Sequence, residues 1–570
     1  MMTPEQAAAH IAETDPRFVV TETEINGIRY PVFANAPKHL RALLEDAAPA
    51  YDDRDALVYQ DQRWSHAELC REVRSLANAL ADDCGVRPGE PVAIAMRNYP
   101  ELPILILAVS ALGAVAVPMN AWWSEEELAY GLKDCGARVV FADGPRYERI
   151  QRLDGEKALT LIAVRDADVS SGQPLRYQDL REAGRDDRWP DARIEPDDDF
   201  AILYSSGSTG HPKGVVLTHR GAISAVYSWI MARFMAPLVA DPPPPLPEPD
   251  QVQPPSFLVV TPLFHVTALQ SNFLQGLASG ATLTLMYKWD PEEAVRLIKK
   301  ERITRFTGVP TQSAELRDTA RRLGETLDTL ETIGGGGAKR PAAQVGELAE
   351  TFPGAAIASG WGMTETNALG ILIGGPDYIA HPEAAGRLTP PLQAMRIVDA
   401  DGHEVPTGEV GELTVKSAAN MRCYLNLPEA TAETVRDGWL YTGDLARVDD
   451  EGLIYIVDRK KSIIIRGGEN IACLEVEGAL HRHPAVAEAG VFPIPDQRLG
   501  EIVGAGVQLK PQADVDESAL KDFLADHLAR FKIPDRIWLR RDPLPRGGTD
   551  KTDRRALRAE CLDTEQGTRQ

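Results

Sequence analysis

The chain has 570 residues, of which 44% are hydrophobic and 25% are charged. This balance matches soluble globular proteins, so it excludes wholesale disorder, a collagen-like fibre and a polytopic membrane protein. The 84 acidic residues exceed the 61 basic residues and give a formal net charge of −23, the wrong sign for a protein that binds a phosphate backbone. We therefore expect no nucleic-acid partner, and at roughly 100–200 residues per domain we expect several domains or two large ones.

The sequence gives no sign of secretion. Its first residues include acidic side chains and no sustained apolar core, so we expect no signal peptide. Six scattered cysteines with no Cys-x-x-Cys pair are typical of a protein without a disulfide framework or a zinc site. A cytoplasmic location is therefore predicted, and peripheral membrane contact and a homodimer stay open.

Residues 102–123 carry no charge, a length at which a transmembrane helix has to be considered. Gly113 and Pro118 interrupt this stretch. The pattern favours an apolar helix over residues 102–112 followed by a buried strand over residues 114–117. We therefore predict no transmembrane segment.

From residue 199 onward, short apolar runs alternate with helical patterns, which indicates a parallel sheet covered by helices on both faces. A helix is predicted over residues 291–302, because Asp290 can cap it and Pro291 suits the first helical position. Loops at the carboxyl ends of such strands commonly bind ligands. The strands are predicted at residues 200–204, 257–261, 281–286, 305–308, 329–333 and 355–358.

Proline is concentrated in one segment. Residues 237–255 contain nine of the 42 prolines, and so many fixed φ angles with so few backbone donors predict polyproline-like or irregular surface chain. We interpret this segment as an insertion loop. Its composition favours a solvated excursion over a docking site for a partner.

The pattern changes twice in the C-terminal third. Residues 386–458 are typical of strands and turns, with Asp401-Gly402 as a hairpin turn between strands at 395–399 and 411–415. After residue 458 a compact α+β domain of about 110 residues is predicted. Its helices are expected at residues 474–480 and 517–528, and its strands at 486–492, 503–509 and 536–539.

These patterns predict an α/β fold with two domains. The first, over residues 1–458, is a large N-terminal domain of doubly wound sheets that ends in the β subdomain. The second, over residues 459–570, is the small α+β domain.

The most informative segment is YSSGSTGHPKG at residues 204–214. It follows a predicted strand and combines glycines, small hydroxyl residues and a lysine, which suits phosphate binding by backbone N–H groups, hydroxyls and an ammonium. It is not a Walker loop, because Pro212 stands immediately before Lys213, and the chain contains no G-x-G-x-x-G. A flexible surface turn is the alternative for a loop of this composition alone.

The same segment resembles the Y-[TS]-S-G-[TS]-T-G-x-P-K-G signature of adenylate-forming enzymes, and the resemblance recurs in order along the chain. The sequence is similar to the acyl-CoA synthetases (AMP-forming acyl-CoA ligases) of this superfamily, and to its fatty-acyl-CoA ligases in particular. The other matching segments are TPLFH at 261–265, GGGA at 335–338, GWGMTE at 360–365, GWLYTGD at 438–444, DRKKS at 458–462 with GGEN at 467–470, and LPRGGTDK at 544–551.

The resemblance implies a ligase that requires ATP, Mg²⁺ and coenzyme A. ATP would activate a carboxylic acid to an acyl-adenylate with release of pyrophosphate, and CoA would then accept the acyl group as a thioester. Because this chemistry brings anions together, the site has to supply positive charge and hold the reactants in line.

The resemblance also implies which residues bind the nucleotide. Trp361 would stack on adenine, and Asp444 would accept both ribose hydroxyls, with Arg459 as a donor beside the same sugar. Glu365 and Thr209 would bind Mg²⁺ as hard oxygen ligands and count among the catalytic residues. The full set of implied nucleotide-binding residues is Ser205, Ser206, Gly207, Ser208, Thr209, Gly210, Lys213, Gly337, Ala338, Gly360, Trp361, Gly362, Thr364, Asp444 and Arg459.

Lys551 is the principal catalytic candidate, as a point charge between the substrate carboxylate and the nucleotide. Asp550 stands before it, where the family has glycine. By the same resemblance the C-terminal domain is mobile and rotates between the two half-reactions. The remaining implied residues are Phe264, His265 and Gly336 in the acyl pocket, Gly467 and Gly468 at the entry of CoA, and Lys461 at the hinge.

The acyl substrate is predicted to be a medium- or long-chain fatty acid, because apolar residues surround the acyl-pocket segment: Phe264, Val266, Ala268 and Leu269. An aryl or branched acid is the alternative. A ligase that loads a carrier protein in trans is another, since no carrier domain is expected in the 19 residues after Lys551. A luciferase-like oxygenase has no supporting feature, and a nucleotide-binding sensor without chemistry is favoured only by Asp550.

Overall fold

The computed structural model describes residues 2–153, 159–167, 175–182, 188–205, 212–240, 254–466, 469–547 and 551–568, with side chains up to residue 563. Two large sheets form the body of the protein in these ranges. The largest hydrophobic core lies between them, because it contains strand residues of both, such as Leu57 and Phe200, and the helices that separate them. This arrangement confirms the predicted α/β fold.

The first sheet has seven strands within the described residues. Most of its neighbouring strands are parallel, and the antiparallel pairs lie at one edge. In spatial order the strands are Cys423–Tyr424, Lys213–Thr218, Asp199–Ser205, Val115–Pro118, Pro91–Ala95, Val139–Asp143 and Thr160–Val164.

The second sheet has nine strands in the part of the chain that the structure describes. Its centre is parallel and both of its edges are antiparallel. In spatial order the strands are Arg387–Leu388, Ile371–Gly374, Ala356–Trp361, Thr332–Gly335, Arg305–Gly308, Ser256–Val259, Thr282–Leu285, Asp55–Tyr59 and Gln62–Ser65.

Helices cover both faces of the sheets. The charge-free stretch becomes helix Glu101–Ala111, whose side chains after Glu101 are all buried, and strand Val115–Pro118. The helices of the body are Pro4–Thr14, Leu40–Tyr51, His66–Asp82, Glu101–Ala111, Glu125–Cys135, Gly144–Leu153, Tyr177–Glu182, His219–Val239, Gln275–Ala278, Pro291–Lys300, Pro310–Leu323, Ala342–Thr351, Pro376–Ala380 and Pro428–Thr434.

Among the described residues, one helix is long and apolar enough to cross a membrane by length and composition, His219–Val239. Half of its apolar window is buried inside the protein. Its buried residues include Trp229 and Met231, which belong to the core between the two sheets. This burial is typical of a core helix.

The β subdomain and the C-terminal domain follow the body in the predicted order. The subdomain sheet contains Gln393–Val398, Gly411–Ser417, Trp439–Val448, Val435–Arg436 and Ile454–Arg459. The C-terminal sheet contains Glu469–Ala472, Ile463–Arg466, Gly500–Leu509, Val486–Asp496 and Arg536–Arg540, and its helices are Cys473–His481, Glu517–Ala525 and Arg554–Thr568.

The structure places three predicted features differently from the sequence analysis. The strand expected at 329–333 is Thr332–Gly335, because Leu327–Leu330 forms a turn and the ladder runs on into the glycines. The turn at Asp401-Gly402 exists, but the two strands that it was expected to join are linked through all of residues 399–410. The proline-rich segment was expected to be irregular from residue 237, but Pro237 lies inside helix His219–Val239, so the helix runs on to residue 239. Residues 241–253 of this segment lie outside the described residues.

Candidate active site

The two ends of the predicted phosphate loop lie side by side. Strands Asp199–Ser205 and Lys213–Thr218 pair antiparallel with Ser205 opposite Lys213, and the Ser205 hydroxyl lies 3.5 Å from the Lys213 carbonyl oxygen. The loop therefore joins the strands of a hairpin. The predicted loop residues Ser206, Gly207, Ser208, Thr209 and Gly210 lie outside the described residues.

The glycine turn after strand Thr332–Gly335 contacts Lys551. Gly337 has a φ of +80°, and a Cβ added there would lie 3.2 Å from Cε and 3.8 Å from Nζ of Lys551. This position requires glycine both for its left-handed backbone and for space. The structure thus brings a residue of the C-terminal domain against a predicted nucleotide-binding turn, beside the exposed Ala338.

The Asp444 carboxylate lies between two donors. Nε1 of Trp361 donates to Oδ2 at 2.8 Å, and Nε of Arg459 donates to Oδ1 at 3.1 Å. Asp444 is only 3% exposed, and burial raises its pKa, which the Arg459 charge and the Trp361 hydrogen bond oppose. The three residues predicted to bind adenine and ribose therefore form one connected group.

The Glu365 carboxylate is buried, with 7% of the residue exposed. Its Oε1 accepts a hydrogen bond from the Tyr424 hydroxyl at 2.8 Å. Burial raises the pKa of Glu365, and the Tyr424 hydrogen bond and the charges of Arg459 and Lys213 oppose this shift. Nζ of Lys213 lies 4.7 Å from the centroid of the Tyr424 ring, so Tyr424 connects the end of the phosphate loop with Glu365.

The segment that leads to Glu365 is tightly packed. A Cβ on Gly362 would lie 2.2 Å from the carbonyl oxygen of Ala368, so this position has no room for a side chain. Gly360 lies in strand Ala356–Trp361, and Thr364 is buried at the start of the short turn that carries Glu365. The packing therefore holds the carboxylate at a defined position.

The acyl-pocket segment, residues 261–265, ends with two ring residues, Phe264 and His265. Phe264 is buried and packs edge-on against the exposed Trp122, with ring centroids 5.3 Å apart. Burial lowers the pKa of His265 to about 3, and the nearby Lys551 charge adds to this effect. The imidazole is therefore neutral near pH 7.

A π-helix follows, Thr267–Leu274, a rare form of helix that is frequent at functional sites. Its first residue faces the glycine turn, since Cγ2 of Thr267 lies 3.7 Å from a Cβ added to Gly336. The Ser271 hydroxyl lies one turn later and donates to the Thr267 carbonyl oxygen at 2.6 Å. Both side chains are partly exposed.

The predicted hinge residue Lys461 lies in the short 3₁₀ turn Lys460–Ser462, which connects the subdomain sheet with the C-terminal sheet. Asp458 precedes this turn and is fully buried. Its carboxylate accepts the Leu474 N–H at 2.9 Å, at the first turn of helix Cys473–His481. The predicted CoA residues Gly467 and Gly468 lie outside the described residues.

Residues 44–425, more than half of the chain, match the AMP-binding enzyme family. The chain belongs to this family. The C-terminal domain of AMP-binding enzymes matches residues 475–551 as well, and this second match ends at Lys551.

Characterised AMP-binding enzymes resemble the chain over most of its length. A feruloyl-CoA synthase of an Amycolatopsis species is 34% identical over 489 residues, which cover 85% of this chain and 92% of that protein. A long-chain-fatty-acid–CoA ligase of Bacillus subtilis is 29% identical over 546 residues, 91% of this chain and 94% of the other. The structure of o-succinylbenzoate CoA synthetase from Bacillus subtilis, solved with its acyl-adenylate intermediate, has a TM-score of 0.75 at 28% identity and covers 90% and 97% of the two chains.

These matches make the protein an AMP-forming acid–thiol ligase that uses ATP, Mg²⁺ and coenzyme A. Its small-molecule partners are therefore ATP, a carboxylic acid and CoA. The cytoplasmic location, the homodimer and the assignment of individual residues stay predictions.

The surroundings of Glu365 fit a magnesium ion in this AMP-binding enzyme. A buried carboxylate is costly unless a cation or several hydrogen bonds compensate it. Among the described residues, Glu365 receives one side-chain hydrogen bond, from Tyr424, besides a hydrogen bond with its own backbone. The second oxygen is a hard ligand of the kind that Mg²⁺ prefers alongside phosphate oxygens. Glu365 would hold the ion, whose charge neutralises the phosphates.

The charge of Lys551 predicts how adenylation depends on pH. Burial lowers the pKa of Lys551 to about 8, Arg459 adds to the lowering, and Asp444 opposes it. The ammonium is therefore charged below about pH 8 and neutral above it. The predicted role of Lys551 in adenylation requires the charged form, so we expect kcat/KM for pyrophosphate release to be level below this pKa and to fall about tenfold per pH unit above it.

This profile can be checked with Lys551→Arg, which stays charged throughout the range. If this variant retains activity, its kcat/KM should not decrease above about pH 8. A wild-type profile that is level up to pH 10 would contradict the assignment.

Two features of the site have no counterpart in the sequence motifs. Tyr424 is 59 positions away from Glu365, and no spacing rule links an aromatic residue to a carboxylate over that distance. The polar side chains Thr267 and Ser271 lie within a mostly apolar run, and no motif marks this run as a π-helix. An irregular helix gives no distinct periodicity in the sequence.

Proposed function

We propose that this AMP-binding enzyme joins an aromatic carboxylic acid to CoA. A carboxylate oxygen attacks the α-phosphorus of ATP and pyrophosphate leaves. The CoA sulfur then attacks the acyl carbon of the adenylate, AMP leaves, and the thiol proton is released. The observation that carries the aromatic preference is the polar face of the π-helix beside Gly336.

The fatty-acid prediction assumed that apolar residues around the acyl-pocket segment line the acyl pocket, but three of them lie in the protein core. Val266, Ala268 and Leu269 are each at most 2% exposed and belong to the core between the two sheets. They stabilise the fold and offer no apolar wall to a long acyl chain. Thr267 lies next to the glycine turn and Ser271 lies one turn further along the same helix. These side chains suit a substrate that carries polar substituents on a ring.

The relatives support the same preference. Ferulate and o-succinylbenzoate, the acids in the names of two similar proteins, are aromatic acids with oxygen-containing substituents. Phe264 of the acyl-pocket segment packs against Trp122, and this aromatic pair suits ring stacking. A long-chain fatty acid stays the second candidate, favoured by the Bacillus subtilis ligase.

The proposed roles of the residues follow from where they lie. Ser205 and Lys213 flank the phosphates, and Asp444 orients the ribose. Lys551, beside Gly337, would neutralise charge as the carboxylate approaches the α-phosphate. Lys461 would be the hinge about which the C-terminal domain, residues 459–570, turns before CoA enters.

The proposal is tested by pyrophosphate release from a panel of acids, with and without CoA. Ferulate and 4-coumarate are expected to be used better than unsubstituted aryl acids and better than dodecanoate. A higher rate with dodecanoate would favour the fatty-acid reading. Full turnover in the absence of CoA would favour the loading of a carrier protein.

Removing the polar face should change this preference. In Thr267→Val with Ser271→Ala, we expect the advantage of hydroxylated over unsubstituted aryl acids to shrink roughly 3- to 10-fold, because each lost hydrogen bond is worth about 1 kcal/mol. Ser228→Ala is the matched control, since its hydroxyl donates to Ser224 in the same way inside a buried helix. An unchanged preference in the double variant would contradict the aromatic proposal.

A further inference from the structure

Tyr424 occupies one oxygen of the carboxylate that is proposed to bind the metal. Its hydroxyl donates to Oε1 of Glu365 at 2.8 Å, and the tyrosine itself is 7% exposed. The ring is fixed from the backbone side, because Tyr424 pairs with Val215 in the first sheet and its N–H donates to the Thr431 hydroxyl at 2.9 Å. The hydrogen bond is therefore a stable part of the fold.

This hydrogen bond engages Oε1, so Oε2 is the carboxylate oxygen that receives no side-chain donor among the described residues. Within the described residues no other side chain donates a hydrogen bond to Glu365. A hydrogen bond to one oxygen of a carboxylate orients the group and favours binding of a cation through the other oxygen.

Monodentate and bidentate carboxylates suit different ions. Mg²⁺ takes six ligands in a near-ideal octahedron and binds one oxygen of a carboxylate, whereas Ca²⁺ takes six to eight ligands and readily binds both. A site that offers one carboxylate oxygen thus favours Mg²⁺. Without the tyrosine hydroxyl, both oxygens of Glu365 become available.

We propose that Tyr424 is a positioning residue that makes the metal site selective for Mg²⁺ over Ca²⁺, by holding Glu365 in a monodentate orientation. The inference rests on the proposed assignment of Glu365 to the metal. It goes beyond that assignment because it gives a reason for the choice of ion. The Tyr424 ring has a second contact, with the ammonium of Lys213 at 4.7 Å, which a phenylalanine would retain.

The test measures binding of Mg²⁺ and Ca²⁺ to the full chain by calorimetry, in the presence of an ATP analogue with a methylene bridge between the α- and β-phosphorus. No turnover is involved. In Tyr424→Phe we expect Mg²⁺ to bind roughly tenfold more weakly, as is typical when a partner of a metal ligand is lost. We also expect the variant to bind Ca²⁺ at least as tightly as the wild type does. The ratio of the Mg²⁺ affinity to the Ca²⁺ affinity should therefore fall by at least tenfold.

Tyr177→Phe is the matched control, because the Tyr177 hydroxyl also donates to a glutamate, Oε1 of Glu72, at 2.8 Å in a buried position. This variant should lose comparable thermal stability and keep the wild-type ratio of affinities. If Tyr424→Phe also kept the wild-type ratio of Mg²⁺ to Ca²⁺ affinity, the proposed role of Tyr424 would be wrong.

Glu365→Gln separates this inference from the assignment on which it rests. We expect this variant to lose most of its affinity for both ions. If it bound Mg²⁺ as the wild type does, the metal assignment of Glu365 would be wrong. If Glu365→Gln lost its affinity for the ions while Tyr424→Phe kept the wild-type ratio of affinities, only the selectivity role of Tyr424 would be wrong.

Discussion

Replacing Lys551 with alanine is expected to lower the rate of acyl-adenylate formation by about 10²–10³-fold, the usual cost of removing one group that stabilises developing charge. The ammonium lies against the glycine turn at Gly337, within electrostatic reach of Arg459 and Asp444. Alanine would remove the charge and keep the hydrogen bond between the Gly547 N–H and the carbonyl oxygen of residue 551. Pyrophosphate release with saturating ATP and acid measures the effect.

The second half-reaction separates this role from a general loss of function. Thioester formation from synthetic acyl-adenylate and CoA needs no charge at the α-phosphate of ATP, so we expect Lys551→Ala to keep most of that rate. Lys510→Ala serves as the control, because Lys510 is an exposed lysine of the same domain. Unimpaired adenylation in Lys551→Ala would show that another group performs this task.

Replacing Asp444 with asparagine should have the next largest effect. The change keeps the shape of the side chain but removes the charge and one acceptor, while Trp361 and Arg459 still present their donors. Each hydrogen bond to a charged group is worth about 1.5–3 kcal/mol, so we expect the Kd for ATP to rise roughly 10- to 100-fold. Equilibrium binding of a non-hydrolysable ATP analogue measures this directly.

The predicted contact of Asp444 with the ribose indicates which groups of the nucleotide the enzyme should recognise, namely the ribose hydroxyls. The wild type should bind 2′-deoxy-ATP more weakly than ATP. The Asp444→Asn variant should bind the two nucleotides with similar affinity. Asp458→Asn is the control, because Asp458 is also a buried carboxylate near the domain boundary but accepts backbone N–H groups. The assignment fails if Asp444→Asn discriminates against 2′-deoxy-ATP as strongly as the wild type does.

Local patterns allowed much of the fold to be predicted. Apolar runs placed strand Asp199–Ser205, which spans the predicted 200–204, and Asp290-Pro291 marked the start of helix Pro291–Lys300. The order of strands within the sheets was not accessible in this way. Asp199–Ser205 joins the seven-stranded sheet, whereas Ser256–Val259 and the parallel strands that follow it join the nine-stranded one, because contacts with earlier parts of the chain decide this division.

The candidate site was predictable where its residues lie within continuous motifs. The structure places Gly337 beside Lys551 and Trp361 beside Asp444, and these were all candidates from the sequence. The hydrogen bond between Trp361 and Asp444 was not foreseen, because stacking was the expected role of the ring. Partners such as Tyr424 are set by the register of Cys423–Tyr424 with strand Lys213–Thr218, which no local pattern encodes.

The buried carboxylate of Asp458 has a consequence for the order of events. A rotation about Lys461 that leaves Asp458 in the large domain has to separate it from the Leu474 N–H, at a cost of about 1 kcal/mol or more for a capping contact. This hydrogen bond therefore favours the orientation in which Lys551 lies beside the nucleotide turn. ATP and the acid would find their site assembled, whereas CoA would have to wait for the interdomain hydrogen bond to open.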